Sequence, residues 1–237
     1  MGTIKAVIFD LDGTLVDSAP DILLAINKLL AEEGRPALTL EEVSAMIGDG
    51  APKLVQRAVN ATGEGDALED LPTLTGRFLG FYEGHTTDLT RPYPGVPEAL
   101  QRLRSAGMRM GICTNKPERP TRELLRDLHL APYFQVVLGG DTVEGVKKPD
   151  PRLIHALLDA LGARPAEAVM VGDAANDVAA ARAAGIPVIL RAGGYTRVPA
   201  KELDADRVIT DFLELPEAIR GVFAVDAGAT CEGAEFT

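Results

Sequence analysis

Cysteine, basic charge and long apolar runs are all scarce in this 237-residue chain, and each scarcity removes a class of protein. The two cysteines, Cys113 and Cys231, lie far apart and without the spacing of a zinc site, so neither a disulfide framework nor a structural metal centre is expected. Lys and Arg number 24 against 35 Asp and Glu, a formal net charge of −11. Such a chain lacks the basic footprint that nucleic acid or an anionic membrane surface requires, although a small anionic substrate is compatible with locally gathered cations. No stretch approaches the roughly 18 uninterrupted apolar residues of a membrane-spanning helix. The opening Met-Gly-Thr-Ile-Lys leads directly into an apolar run without the layout of a signal peptide, which predicts a cytoplasmic protein. The G-x-x-x-x-G-K-[ST] of a P-loop nucleotide binder is also missing.

What is present suits a globular enzyme. With 46% apolar and 25% charged residues, the chain can bury one large core or a main core with a smaller insert. The stretch KAVIFDLDGTLVD organises the rest. Ala6, Val7, Ile8 and Phe9 form an apolar run without polar alternation, the mark of a strand covered on both faces in a parallel sheet. That strand delivers Asp10 and Asp12 to a Gly-Thr turn. Carboxylates at i and i+2 of an extended segment point the same way, roughly 7 Å apart, and are costly to leave ionised without a cation or a shared proton. A calcium loop starting at Asp10 fails, because its glycine would fall on Leu15 and its bidentate Glu on Asp21.

Beyond the first strand, Asp17 or Ser18 is placed to cap a helix that carries Pro20 in its first turn and Ile22, Ile26, Leu29 and Leu30 at helical spacing. Three more helical patterns follow without an intervening strand, up to the rigid turn Arg91-Pro-Tyr-Pro-Gly. From Val96 onward helices alternate with strands expected at 108–114, 134–140, 168–173, 187–192 and 207–210. The expectation is an α/β fold: a Rossmann-like parallel sheet with right-handed crossovers, made of residues 1–17 and 91–221 and carrying a helical cap inserted at 18–90. Residues 222–237, rich in Gly, Ala and acid, read as a mobile tail.

Ligands of such sheets bind beyond the C-terminal ends of the strands, so the residues standing there matter most. They are Asp10 and Asp12; Thr114 and Asn115; Gly139, Gly140 and Asp141; and Gly172, Asp173 and Asp177, with Lys148 in the loop GVKKPDP. Singly, each has a structural alternative: Thr114 as a helix cap, Lys148 as a solvated loop lysine, Asp173 with Asp177 as a cap and its acidic first turn. Together they match phosphoryl transfer. A carboxylate attacks a phosphate monoester only when a divalent cation and a lysine neutralise the non-bridging oxygens. Magnesium takes hard oxygen ligands, which Asp10, Asp173, the Asp12 carbonyl and Asp177 can offer. Lys148 supplies a fixed positive charge, and Thr114 with nearby amides, including those at Asn115, can bond the phosphoryl oxygens.

The ordered set DLDGT at 10–14, an apolar strand ending in Thr114, Lys148-Pro, and GDAAND at 172–177 resembles the haloacid dehalogenase superfamily of aspartate-nucleophile phosphatases. The helical insert resembles that superfamily's type 1 cap, and MIGDG at 46–50 with RPYPGV at 91–96 is similar to its phosphoglycolate phosphatase branch. The likeness spans about residues 5–215. It departs at Ala174, where many members carry Ser after the metal-binding Asp. The resemblance implies that Asp10 is the nucleophile, that Asp12 protonates the leaving alcohol and later activates water, and that the substrate is a small phosphate ester, 2-phosphoglycolate first, hydrolysed with Mg2+ by a monomer or homodimer. Asp12 also points away from halide chemistry, since the superfamily's dehalogenases lack this second acid. The same core groups serve a sugar-phosphate mutase or a pyrophosphatase. A phospho-accepting receiver domain gathers similar residues, but its aspartate ends a later strand and it has no helical insert. For the rest of the substrate, the Gly48-Asp49-Gly50 loop and the cations Lys53 and Arg57, four residues apart on a helix, are the candidates to read a carboxylate.

Overall fold

The computed structural model describes residues 4–63, 70–196 and 198–225. Cys231 and most of the expected tail therefore lie outside the described residues. Six strands make one parallel sheet: β1 (Ala6–Phe9), β4 (Arg109–Cys113), β5 (Val136–Leu138), β6 (Ala168–Gly172), β7 (Val188–Arg191) and β8 (Arg207–Ile209), in the order β5-β4-β1-β6-β7-β8. The unbroken apolar run takes the most protected position. β1 sits at the centre, with Phe9 in register with Ile112 on one side and Val171 on the other.

Alternate residues of β1 face opposite layers, as the period of a strand requires. Val7 and Phe9 join one core with Leu100 of α5 (Val96–Ser105), Leu124 of α6 (Glu118–Asp127) and Ile219 of α9 (Leu215–Val225). Ala6 and Ile8 join the other with Leu157 of α7 (Arg152–Leu161) and Ala181 of α8 (Ala175–Ala183). The insert has a third core of its own. Its helices α1 (Ala19–Glu32), α2 (Leu40–Ser44), α3 (Ala51–Ala61) and α4 (Leu71–Tyr82) close over Ile26, Leu29, Val43, Val55, Val59 and Phe78.

Three local features differ from the sequence reading. The entry and exit of the insert pair as a two-residue antiparallel ribbon, β2 (Val16–Asp17) with β3 (Arg91–Pro92), where only turn chemistry was expected. Strands that short leave no periodic signal. At the start of α1 the Ser18 side chain makes no capping bond; its hydroxyl donates to Asp12 Oδ1 at 2.6 Å. The Tyr195 hydroxyl caps the helix instead, accepting from the amides of Ser18 (2.7 Å) and Ala19 (2.8 Å) and donating to Asp17 Oδ1 (2.7 Å). Finally, α9 runs past the expected boundary at 221. Leu215, Ile219 and Val222 pack on the sheet at helical spacing, a pattern interrupted in the sequence by Pro216 and Gly221.

One buried carboxylate ties the insert to its own exit. Asp21, in the first turn of α1 and 2% exposed, accepts from the amides of Leu89 (2.9 Å) and Thr90 (2.8 Å) and from the Thr90 hydroxyl (2.7 Å). Asp21→Ala orphans these donors, so it is expected to lower the unfolding free energy by about 3 kcal/mol, measured as an earlier urea midpoint at unchanged slope.

Candidate active site

The register of the sheet brings three strand ends together. Asp10 follows β1, and its amide donates to Val171 O at 2.9 Å, so it lies alongside the end of β6. Thr114 follows β4, and Asp173 follows β6. Asp177 comes from the first turn of α8, where its Oδ2 accepts from the amides of Asp173 (3.1 Å) and Ala174 (3.0 Å). Gly172 makes this return possible, because a Cβ there would collide with the Asp177 carboxyl. Ligand oxygens of Asp10, Asp173 and Asp177 all fall within 4.8 Å of one another, and the three residues are 6%, 1% and 0% exposed.

A single cation enters this cluster. Lys148 Nζ, 3% exposed as a residue, lies 2.6 Å from Asp177 Oδ1 and 2.8 Å from Asp10 Oδ1. The contact to Asp10 is poorly directed, so that oxygen is buried with an ion contact but no hydrogen bond. Thr14 donates to Asp173 Oδ1 at 2.7 Å and the Tyr195 amide to Oδ2 at 2.8 Å. Burial pushes the Asp10 carboxyl up to about 6 against the pull of Lys148. Burial, then the neighbouring charges of Asp177 and Asp10, push Asp173 to about 8. Burial works against the Lys148 charge, but Asp10 and Asp177 outweigh it and hold its pKa above the ordinary value. Fully ionised, three carboxylates against one ammonium would leave two negative charges in a nearly dry site, and the raised Asp10 and Asp173 pKa values are the response to that burial and imbalance. Hard oxygen donors, the unbonded Asp10 oxygen and that excess charge fit a divalent cation.

Asp12 stands apart from the cluster. Its carboxylate faces Lys116, whose Nζ lies 3.2 Å from both oxygens, and takes the Ser18 hydroxyl. Lys116 is 7% exposed and also donates to Tyr82 Oη at 2.9 Å. Burial opposes its charge, yet the Asp12 carboxylate and Tyr82 raise its pKa. Thr114, 2% exposed, accepts from the Lys116 amide at 3.3 Å, which leaves its hydroxyl proton available.

The other three candidates make contacts of their own. The Asn115 side chain is not free for phosphate: its Oδ1 accepts from the Lys148 amide (2.8 Å), and its Nδ2 donates to the carbonyls of Lys148 (3.1 Å) and Gly48 (3.0 Å). It fastens the Lys148 loop and the insert to the edge of the sheet. Lys53 is exposed and bonds Gln56, since the buried stripe of α3 passes through Leu54, Val55 and Ala58 and turns Lys53 outward. Arg57 reaches the edge of the site but is held by the Asp49 carboxylate and Met46 O. The Gly48-Asp49-Gly50 loop does come down on the site. Asn176 also donates to Gly48 O (2.9 Å), and Gly50, at φ +87°, has the Asn115 carbonyl 2.9 Å from where a Cβ would stand. Residues to which the sequence reading assigned no role of their own in the site are Thr14, Tyr82, Lys116, Asn176 and Tyr195. Lys116 was accessible, directly after the strand-end pair Thr114-Asn115; Tyr82 is legible only as a core position of its helix, and Tyr195 belongs to a distant loop that carries no marker.

A family model for haloacid dehalogenase-like hydrolases matches residues 4–185. A phosphoglycolate phosphatase from Rhodospirillum rubrum is 46% identical over 215 residues, 89% of this chain and 89% of that protein. One from Caulobacter vibrioides is 42% identical over 212 residues, 90% of this chain and 89% of that protein. Among solved structures, a predicted phosphoglycolate phosphatase from Haemophilus somnus superposes with a TM-score of 0.85 at 30% identity, covering 92% of this chain and 99% of that one.

The raised carboxyls set a pH dependence of stability. The unfolded chain releases the Asp10 and Asp173 protons near pH 4, whereas the folded, metal-free protein retains them to about pH 6 and 8. Folding then binds protons, so stability in EDTA should fall as pH rises from about 5 to 8. Saturating magnesium should flatten that slope, as measured by thermal unfolding across the range. A metal-free protein that gains stability over this window would contradict the assignment.

Proposed function

The chain belongs to the haloacid dehalogenase-like hydrolases, and from that premise we propose that it hydrolyses 2-phosphoglycolate to glycolate and phosphate through an aspartyl-phosphate on Asp10. The observation that carries the reading is the end of β1, where a buried Asp10 oxygen without a hydrogen-bond partner stands beside Lys148, Asp173 and Asp177. Relatives named phosphoglycolate phosphatase at 46% and 42% identity support the substrate. In this reading residues 18–90 are the cap and the sheet with its flanking helices is the catalytic core. The enzyme is taken as cytoplasmic, a monomer or homodimer, with neither nucleic acid nor membrane as partner.

The proposed cation ligands are the Asp10, Asp173 and Asp177 side chains and the Asp12 carbonyl, and magnesium bound there would neutralise the non-bridging phosphoryl oxygens against an anionic nucleophile. Asp10 attacks phosphorus as the bond to the alcohol oxygen breaks. Asp12, carrying a proton, passes it to that oxygen, so glycolate leaves as the alcohol. Water then attacks the aspartyl-phosphate while Asp12 takes its proton, and the bond from phosphorus to Asp10 breaks to release phosphate. Lys148 holds positive charge beside the nucleophile throughout, and the Thr114 hydroxyl is the donor for a phosphoryl oxygen.

Turnover with magnesium of 2-phosphoglycolate, sugar phosphates, nucleotides and pyrophosphate is the direct test. Preference for 2-phosphoglycolate is expected; preference for pyrophosphate, or isomerisation of a sugar phosphate, favours the related chemistries, and a stable phosphoprotein without turnover favours a receiver. Asp10→Asn should abolish turnover and acid-trapped phosphoenzyme together. Asp12→Asn should still accept phosphate from a reactive ester while turnover falls by about 10² to 10⁴-fold.

A further inference from the structure

Lys53 turns away from the site, and Arg57, paired with Asp49, lines a neighbouring cleft that also reaches Asp10 and Asp12. A partly open cavity lies between the insert and the sheet edge. Its wall from the insert is mostly apolar: Ile22, Ile47, Leu54, Phe78 and Leu79. Its other wall presents Asp10, Asp12, Thr114 and Lys116. Lys116 is the one cation in this lining among the described residues, because Lys148 faces the carboxylate cluster on the far side of Asp10.

The leaving oxygen is the one that Asp12 protonates, so the leaving group must extend into the cavity from Asp12. In a two-carbon hydroxy acid the carboxylate is one carbon beyond that oxygen. Lys116 Nζ, 3.2 Å from both Asp12 oxygens and 2.9 Å from Tyr82 Oη, occupies the same short radius. Its ammonium also lies over the Tyr82 ring, 4.5 Å from the centroid, which holds it in place from the cap side. In a cavity walled by Ile, Leu and Phe an anion has little water to retain, so a fixed ammonium there discriminates strongly between an anionic and a neutral leaving group. The same apolar wall offers few partners for the hydroxyls of a sugar.

We propose that Lys116, held by Tyr82, is the specificity-determining residue, receiving the carboxylate of the leaving hydroxy acid and selecting phosphate monoesters of short carboxylic acids. This rests on the phosphatase reading above. The test compares 2-phosphoglycolate with 2-hydroxyethyl phosphate, in which a CH2OH replaces the carboxylate, for the wild type, Lys116→Met and Lys116→Gln; the Gln side chain can still donate to Asp12 if the Met variant does not fold. The wild type is expected to prefer 2-phosphoglycolate. In the variants, the ratio of kcat/KM for the two esters should fall by about 10- to 100-fold, the range of a lost charged hydrogen bond. An unchanged ratio overturns the proposal and leaves the phosphatase reading intact, since Lys116 then serves Asp12 alone. A wild type that hydrolyses neither ester overturns both.

Discussion

Three buried carboxylates share one lysine at the end of a parallel sheet, and much of the surrounding structure holds that imbalance in place. Left alone, like charges at this distance would take up protons or draw in water. Here each acid is held from a different direction: Asp10 by the strand that carries it, Asp177 by the amides of Asp173 and Ala174, Asp173 by Thr14 and the Tyr195 amide. Fixed in this way, the cluster turns its oxygens toward one point, which is what a divalent cation needs.

Tyr195 shows how the same constraint reaches the insert. Its amide holds a carboxylate of the cluster, and its hydroxyl caps the first helix of the insert while bonding Asp17 of the connecting ribbon. Asn115 does the reciprocal task from the other strand, with one amide nitrogen shared between the Lys148 loop and Gly48 of the insert. Together with Asn176, which bonds Gly48, and Lys116, which bonds Tyr82, these contacts join the polar edge and the helical cover at several points around Asp10. A cover fastened so close to Asp10 limits both the water and the shape of what can enter or leave there.

The two acids of the first motif are divided by their partners. Asp10 faces Lys148 and the cation cluster; Asp12 faces Lys116, Tyr82 and Ser18. One lysine for each carboxylate gives the two acids separate electrostatic surroundings, two residues apart in the chain.

The sheet, its order of helices and strands, the helical insert and the residues of the cluster were all legible in the sequence, because apolar periodicity and strand-end acids are local properties. Asp10, Asp173, Asp177 and Lys148 could be gathered from that pattern since parallel strands must end on one edge. The roles of Asn115, Lys53 and Arg57 were not, because i and i+4 spacing says which residues share a face but not whether the face meets the site or the solvent. The pairings of Lys116, Tyr82 and Tyr195 became visible only once the chain had folded. Each acts through a partner distant in sequence, Lys116 and Tyr82 through each other and Asp12, Tyr195 through Ser18 and Ala19, and no local pattern encodes which distant groups will be buried against one another.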